Sequence, residues 1–319
     1  MYMLKYTTKR ILLMLLTFFI IMTICFIMIK LLPQRDPVAF GKDANIILRR
    51  RELLGYGKPL LMQYGIFLER VLTKWDWGIG ETLKTGHEIS RVFAEKLPAT
   101  MLVNIYSFIF SVPLGILFGI YAALRKNRWE DHVISTGVML LVSVPSYVYA
   151  FLVQYFLCFR LGWFPFLMKE GTDYLSWPMF VSVIPAVLSL SFGFIAGLTR
   201  GTRAELTEVL TMDYMLLART KGLTRRQATT GHALRNAMVP IFPGIIGSFI
   251  GILSGSLIIE SIFGVPGVGN LYIESIRALD YNFFMMLSAF YIFISLSAGI
   301  LVDISYGFID PRIRMGARK

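Results

Sequence analysis

Charged residues are scarce in this chain: Asp, Glu, Lys and Arg make up 16% of its 319 residues, whereas soluble domains carry roughly 25%. Hydrophobic residues account for 55% of the sequence and aromatic residues for 14%, and the mean hydropathy is +0.62. A soluble domain would have to leave much of this apolar surface in water. The composition therefore excludes an ordinary soluble protein and indicates a membrane protein.

The residues that usually build catalytic or metal centres are few and scattered. Two cysteines, Cys25 and Cys158, fall within or at the edge of apolar runs and form neither a disulfide framework nor a metal-binding spacing. The three histidines, His87, His132 and His232, match no spacing of metal ligands. We therefore predict no catalytic residue, no metal site and no cofactor bound by this chain.

A phosphate-binding P-loop is also missing. The Gly-Lys pairs at 41–42 and 57–58 are followed by Asp43 and Pro59, and no Gly-x4-Gly-Lys-Ser/Thr motif occurs elsewhere. A P-loop needs its lysine for the β- and γ-phosphates and its hydroxyl for Mg²⁺. ATP hydrolysis through such a loop is therefore not expected in this chain.

Six apolar segments are long enough to cross a bilayer. A helix needs roughly 20 mostly apolar residues to cross about 30 Å of hydrocarbon, and it satisfies its own backbone groups there. Several segments contain internal prolines, among them Pro113, Pro145 and Pro185, which neighbouring helices can accommodate in a bundle. We interpret the first segment as a retained span, because its apolar run is too long for a signal peptide and no small-x-small cleavage site follows. The predicted spans are 11–29, 101–124, 133–159, 178–198, 238–259 and 284–309.

Lysine and arginine are distributed unevenly between the two sides. If both termini are cytoplasmic, the inside segments hold 17 basic residues, and the two short outside loops hold only Arg160, Lys169 and Arg277. The positive-inside rule therefore predicts cytoplasmic termini. The other twelve basic residues lie in the segment 30–96, which is too long for the rule to apply to it. The net charge of +12 then reflects topology and lipid headgroups. No basic patch on a soluble module predicts nucleic-acid binding.

The segment 30–96 is the long extramembrane stretch, on the outside in this topology. We predict that it holds short amphipathic helices that lie on the membrane or cover the mouth of the bundle. The apolar residues at helical spacing are Leu60, Leu61, Tyr64, Leu68, Val71 and Leu72.

The inside loop between the fourth and fifth spans carries clear helix signals. Asp213 is suited to cap a helix beginning at Tyr214, and Gly222 is suited to the left-handed position that ends one. Thr224 and Gln227 have the spacing of a capping box that opens a further helix. We therefore predict a short, rigid helix at about 214–221, lying across the cytoplasmic face.

An apolar face could run through this loop. A helix leaving the fourth span would keep one side apolar through Leu206, Val209, Leu210, Leu216 and Leu217. An ordinary solvated loop with the usual positive bias also contains capping residues. Periodicity alone does not decide between the rigid helix and the solvated loop.

The same loop resembles the cytoplasmic signature loop of permease subunits in ABC importers, in the variant of the oligopeptide, dipeptide and nickel family. Within the loop, the matching residues are Asp213, Tyr214, Ala218, Arg219, Lys221 and Gly222, then His232-Ala-Leu-Arg-Asn-Ala and Pro240. Further matches cover nearly the whole chain: Gly55, Pro59-Leu60, Gln63-Tyr64, and the stretches 97–100, 260–269, 278–281, 301–303 and 310–314. The chain is identified on these motifs as a B-type permease, a binding-protein-dependent transport inner membrane component.

Three positions depart from the family pattern. Leu216 and Leu217 stand where the broad pattern has glutamate and alanine, and the peptide-type ending at 232–240 replaces Ile-x-Leu-Pro. Near the start, Gln34-Arg35 stands where the family often has one glycine. These departures bear on which side chains touch a partner.

The resemblance implies an all-α membrane protein with six transmembrane helices, the type I ABC importer permease fold, with a cytoplasmic coupling helix and a long extracytoplasmic loop after the first span. It implies three parts: the tail, first span and extracytoplasmic segment at 1–96, the permease domain at 97–309 and a cytoplasmic tail at 310–319. The residues implied to contact an ATPase are Asp213, Tyr214, Ala218, Arg219, Lys221 and Gly222.

The implied partners are a second homologous permease, two ABC ATPase subunits that bind ATP and Mg²⁺, and an extracytoplasmic substrate-binding lipoprotein, all at a bacterial cell membrane. The implied substrate is a peptide, with nickel or a metal chelate as the alternative in the same family. A secondary transporter would place charges near the midplane, and a membrane enzyme would need a nucleophile with a base. The span interiors offer mainly Ser, Tyr, Asn104 and Gln154, so neither class is favoured.

Other residues could serve helix packing. Gly244, Gly247, Gly251 and Gly255 line one face of the fifth span and would let another helix approach closely, either within this chain, which we favour, or in the second permease. Glu260 and Asp303 are acidic residues near span ends. We favour a structural role for both carboxylates over a functional one.

Overall fold

The computed structural model describes residues 2–33, 44–251 and 256–309, which form helices and loops with no strand among them. One isolated bridge joins Ile79 and Glu88. The α-helices, in chain order, are α1 (Tyr2–Leu31), α2 (Ala44–Leu53), α3 (Leu60–Lys74), α4 (Ile89–Leu124), α5 (Trp129–Ser143), α6 (Ser146–Val153), α7 (Trp177–Val209), α8 (Asp213–Thr220), α9 (Arg225–Ala228), α10 (Leu234–Gly251), α11 (Leu257–Ile262), α12 (Val268–Arg277) and α13 (Tyr281–Ile309). Two π-helical stretches continue them: Gln154–Arg160 after α6 and Thr229–Ala233 between α9 and α10.

Five stretches are long and apolar enough to cross a membrane: α1, α4, α7, the stretch from α9 through α10, and α13. A sixth crossing exists if α5 and the stretch Ser146–Arg160 count as one broken span. The predicted all-α class is therefore confirmed. We call the end of the bundle that carries α2 and α3 the outer end and the end that carries α8 the inner end.

Two predicted spans are corrected. The third, at 133–159, bends by 104° at Pro145, which precedes α6 and has no N–H to continue the hydrogen bonds of α5. The fifth, at 238–259, is shifted: its helical stretch begins at Arg225, and α10 ends at Gly251. The Ser256 side chain accepts a hydrogen bond from the amide of Ile259, so that α11 starts as a separate helix.

The crossing of α4 and α7 is very close. A Cβ added to Gly115 would lie 2.6 Å from the Cβ of Leu198, and one added to Gly119 would lie 2.5 Å from the Cβ of Thr202. The Thr199 hydroxyl donates to the carbonyl of Gly115 at 3.2 Å. Small residues allow the two helices to approach closely. In a membrane this close packing stabilises the pair through dispersion forces, because no hydrophobic effect drives helices together there. No pattern in the sequence singles out this pair of glycines.

The first helix packs along the last one. The rings of Phe18 and Phe293 meet edge to face, with centroids 6.2 Å apart. Nearer the inner end, the Arg10 guanidinium lies 2.8 Å from the carboxylate of Asp303, and both side chains are partly exposed. Asp303 therefore has a structural partner in α1.

The described part of the outer segment, 30–33 and 44–96, includes the short helices α2 and α3. The helix α4 begins within this segment at Ile89 and runs on through the predicted boundary at 96/97. The side of α3 that packs on α1 is aromatic: the rings of Tyr64 and Phe67 each lie 5.1 Å from that of Phe26. Leu61 and Leu72 are exposed instead. Aromatic contacts therefore set the side of α3 that meets α1, and the location of its apolar residues on the membrane or over the mouth of the bundle stays a prediction.

Candidate functional site

The helix α8 is a short element at the inner end, between α7 and the long helical stretch that begins with α9. It runs from Asp213 to Thr220, and its N-cap is Met212, which provides no side-chain hydrogen bond. The predicted cap at Asp213 is therefore wrong: this residue is the first of the helix. Its carboxylate still lies in the first turn, where negative charge is favoured by the helix dipole.

The C-terminal end of α8 is closed by a pair of backbone hydrogen bonds. The amide of Leu223 donates to the carbonyl of Ala218 at 3.3 Å, and the amide of Gly222 donates to that of Arg219 at 3.0 Å. This is the Schellman arrangement, and it places Gly222 at φ +91°, where a side chain would be strained. The helix therefore ends at a defined position.

The next helix starts within three residues of that glycine. The Thr224 hydroxyl accepts from the amide of Gln227, and the Gln227 side chain accepts from the amide of Thr224, at 3.3 and 3.0 Å. Both halves of the predicted capping box are present. Two adjoining helix ends thus hold the turn between α8 and α9.

The two sides of α8 differ sharply in burial. Met215 and Ala218 are buried in a cluster that includes Val209 of α7 and Ala228 of α9. Leu216 and Leu217 are 64% and 55% exposed. The predicted continuous apolar face is therefore wrong, because the break at 210–212 rotates α8 relative to α7.

The six residues predicted to contact an ATPase lie on α8 and the turn after it. Asp213, Arg219, Lys221 and Gly222 are exposed, Tyr214 is half-buried and Ala218 is buried. Leu216 and Leu217 are also exposed on this helix, although the predicted contact residues did not include them. The sequence marks both positions, because leucine stands there in place of the glutamate and alanine of the family pattern.

The glycine stripe of α10 makes close contact at one described position. A Cβ added to Gly247 would lie 2.8 Å from Cγ2 of Val302 on α13, whereas one added to Gly244 would meet nothing within 4 Å. Gly251 is the last residue of α10, and Gly255 lies outside the described residues. The contact that exists is with a helix of the same chain.

A buried carboxylate holds the outer turn between α11 and α12. Glu260 is 1% exposed; it accepts from the Thr100 hydroxyl at 2.8 Å and from the amide of Asn270 at 3.1 Å. A Cβ on Gly267 would lie 2.3 Å from the Glu260 carboxylate, and one on Gly269 would lie 2.8 Å from it. The glycines of this motif therefore let the turn wrap around the carboxylate, which serves the free amides at the start of α12.

The environment of Glu260, which lies outside the spans, favours its neutral form. Burial raises the pKa of the carboxyl from 4.5 to about 7, although its hydrogen bonds to Thr100 and Asn270 act in the opposite direction. These contacts are the structural role that we favoured for this residue.

Asp280 is a second buried carboxylate at the outer end, and it is fully buried. Its Oδ2 accepts from three successive backbone amides, those of Glu81, Thr82 and Leu83, at 2.8, 2.8 and 3.0 Å. Burial raises the pKa of this carboxyl. Asp280 thereby ties the loop before α4 to the start of α13, a role that its place in the motif at 278–281 does not predict.

Comparison with known proteins identifies the family. Residues 115–315 match the model of the binding-protein-dependent transport system inner membrane component. The chain belongs to this family. It is 34% identical to the dipeptide transport system permease protein of Lactococcus lactis subsp. cremoris over 98% of this chain and 100% of that protein. It is 32% identical to the oligopeptide transport system permease protein of Haemophilus influenzae over 98% of this chain and 100% of that protein.

Solved structures of other permeases share the fold. An amino acid ABC transporter matches with a TM-score of 0.51 and 20% identity, over 68% of this chain and 94% of that one. The methionine ABC transporter in an inward-facing conformation matches with a TM-score of 0.52 and 13% identity, over 68% of this chain and 97% of that one. At these identities the likeness shows the fold alone, and it supports the predicted ABC importer permease architecture.

Proposed function

We propose that this chain is the membrane-spanning permease subunit of an ATP-driven importer that takes up peptides. The support for the substrate class is the pair of relatives at 34% and 32% identity, whose names specify dipeptide and oligopeptide transport. They align over the full length of both proteins, so the loops at the outer end are included in the likeness.

The observation that carries the proposal is the form of α8. It is an eight-residue helix with a closed C-terminal end, adjoined by a capped helix, and it presents Leu216 and Leu217 outward beside Arg219. A stiff segment with an apolar projection can transmit a displacement, whereas a solvated loop would absorb it. We infer that α8 is the coupling helix and docks on an ATPase subunit.

The remaining partners follow from the energy source. Because the sequence has no P-loop, we propose that ATP and Mg²⁺ are bound by two separate ATPase subunits. A second, homologous permease would complete the pathway, and an extracytoplasmic lipoprotein would deliver the substrate. In this arrangement both termini lie in the cytoplasm of a bacterial cell and the outer end faces the lipoprotein, as the distribution of basic residues favours.

The test of coupling is a pair of glycine substitutions. Gly222→Val places a β-branched residue at φ +91° although its Cβ would meet nothing within 4 Å, so backbone strain is its main effect. Gly231→Val is the matched control, because that glycine also faces open space and has no positive φ. In vesicles with the assembled transporter, we expect Gly222→Val to abolish peptide uptake and substrate-stimulated ATPase activity, and Gly231→Val to retain both. Equal uptake in the two variants would refute the proposed role of α8 in coupling.

The substrate class has its own test. The assembled transporter is given a radiolabelled tripeptide or ⁶³Ni²⁺ together with the lipoprotein that accompanies it. We expect ATP-dependent accumulation of the tripeptide. Accumulation of nickel without the peptide would replace the proposed substrate while leaving the coupling mechanism intact.

A further inference from the structure

A groove of about 360 Å³ lies between α5 and α7 towards the inner end. The α5 side presents one helical face, at positions i, i+3, i+4, i+7 and i+8: Ser135, Val138, Met139, Val142 and Ser143. Met139 and Val142 are 72% and 50% exposed. The volume lies within the range of roughly 300–1,000 Å³ that is typical of ligand sites.

Two arginines of α7, Arg200 and Arg203, also line this groove. The guanidinium of Arg203 is engaged by a carboxylate, since its Nη2 donates to Asp131 Oδ2 at 2.8 Å. Arg200 is exposed and has no ion pair or side-chain hydrogen bond with any residue that the structure describes. The groove therefore has an apolar wall and one uncompensated positive charge.

The extent of the apolar run in α7 places the charge of Arg200 at the level of the membrane surface. Arg200 follows the apolar run 178–198 by two residues, which corresponds to about 3 Å along the helix axis. The groove extends from this level along α5 towards the bend at Pro145, and so reaches the hydrocarbon region. An anionic headgroup beside an acyl chain has the same arrangement of charge and apolar surface.

We propose that this groove binds an anionic phospholipid, with its phosphodiester on Arg200 and one acyl chain between α5 and α7. A protein occupant would have to bring a carboxylate to Arg200, whereas a phospholipid holds its phosphate at this depth already. Basic pockets between membrane helices on the cytoplasmic side are suited to such headgroups. The cytoplasmic leaflet follows from the proposed orientation, but the site itself does not depend on transport.

The test is native mass spectrometry of the purified full-length chain titrated with phosphatidylglycerol or phosphatidylcholine. We expect the unmodified chain to retain phosphatidylglycerol in preference. Arg200→Gln should weaken retention roughly fivefold, the effect of one basic residue near an anionic surface. Arg200→Lys should keep most of it. Val138→Trp should reduce retention by filling the groove without a change of charge.

Arg160→Gln is the matched control, because it removes an exposed arginine at the far end of the bent span whose α5 half lines the groove. Phosphatidylglycerol retention that is equal in Arg200→Gln and Arg160→Gln would overturn the proposal. So would equal retention of the two lipids by the unmodified chain. If Arg200→Gln instead keeps the lipid but loses co-purification of the second permease, the groove is a protein interface and the lipid site is refuted.

Discussion

The inner segment around α8 and the outer turns around α11 to α13 are both built from family motifs, but their contacts differ in range. At the inner end, the bonds that close α8 and open α9 join residues three to five positions apart. At the outer end, Thr100 meets Glu260 across 160 positions, and Glu81 meets Asp280 across 199. The inner motif is therefore local, whereas the outer motif joins distant parts of the chain.

Exposure follows the same division. Most residues of the inner motif lie at the surface, although Ala218 is buried, and α8 keeps its shape through bonds within one or two helical turns. The carboxylates of the outer motif are buried and bound by backbone amides of other segments, so the outer turns cannot shift without breaking those bonds. The comparison indicates a stiff, outward-facing element at one end and a tied-down frame at the other.

The strongest way to break the outer frame is Asp280→Ala. It would leave three partly buried backbone amides without their acceptor, and we expect a loss of about 3 kcal/mol of unfolding free energy. Thermal unfolding of the detergent-solubilised chain measures it, together with proteolysis in the loop 79–88. Asp280→Asn keeps an acceptor oxygen and should lose less. Asp173→Ala, at an exposed site, is the control, and a loss equal to that of Asp280→Ala would contradict the role of the buried carboxylate.

The buried carboxyl of Glu260 should make the stability of the outer end depend on pH. Between pH 4.5 and about 7 the folded chain holds a proton on this carboxyl that the unfolded chain has released. The unfolding free energy should therefore fall as pH rises through this window, by at most about 3 kcal/mol. Glu260→Gln, which cannot ionise, should remove this part of the pH profile. A variant profile that parallels the unmodified one would show that Glu260 does not titrate there.

The smallest effect is expected at the inner end. Thr224→Ala removes a helix cap that is exposed to water, and we expect a loss of about 1 kcal/mol, confined to α8 and α9. Hydrogen exchange of the amides at 224–228 measures it. Thr230→Ala is the control, because the Thr230 hydroxyl donates within the helix, to the carbonyl of Arg226 at 3.0 Å. Faster exchange across the outer turns in Thr224→Ala would mean that the two ends are not independent.

Sequence analysis was most successful where the determinants lie within one or two helical turns. The apolar runs predict the spans, and the spacing of Thr224 and Gln227 predicts a capping box that the structure contains. Asp213 shows the limit: its residue type suits a cap, but the helix begins one residue earlier than the pattern suggests. Capping residues are common in loops, so the type alone does not fix the position.

The misses share a different cause. Whether Pro145 bends a span or is absorbed by it depends on the neighbours that α5 and α6 find. The glycines at 115 and 119 are needed only because α7 crosses α4 at these positions, and the local sequence does not show that crossing. The partners of Asp280 lie in a loop that no pattern around residue 280 identifies.

The amino-acid sequence by itself determined that this is an all-helical membrane protein with a glycine-terminated helix at 222, because hydropathy and helix capping act over short distances along the chain. Its motifs gave the permease family by resemblance. Only the tertiary structure decided which carboxylates are buried, which glycines are approached and which leucines of α8 face outward. Those properties depend on residues brought together from far apart in the chain, and the free energy of each contact exists only once the helices have packed.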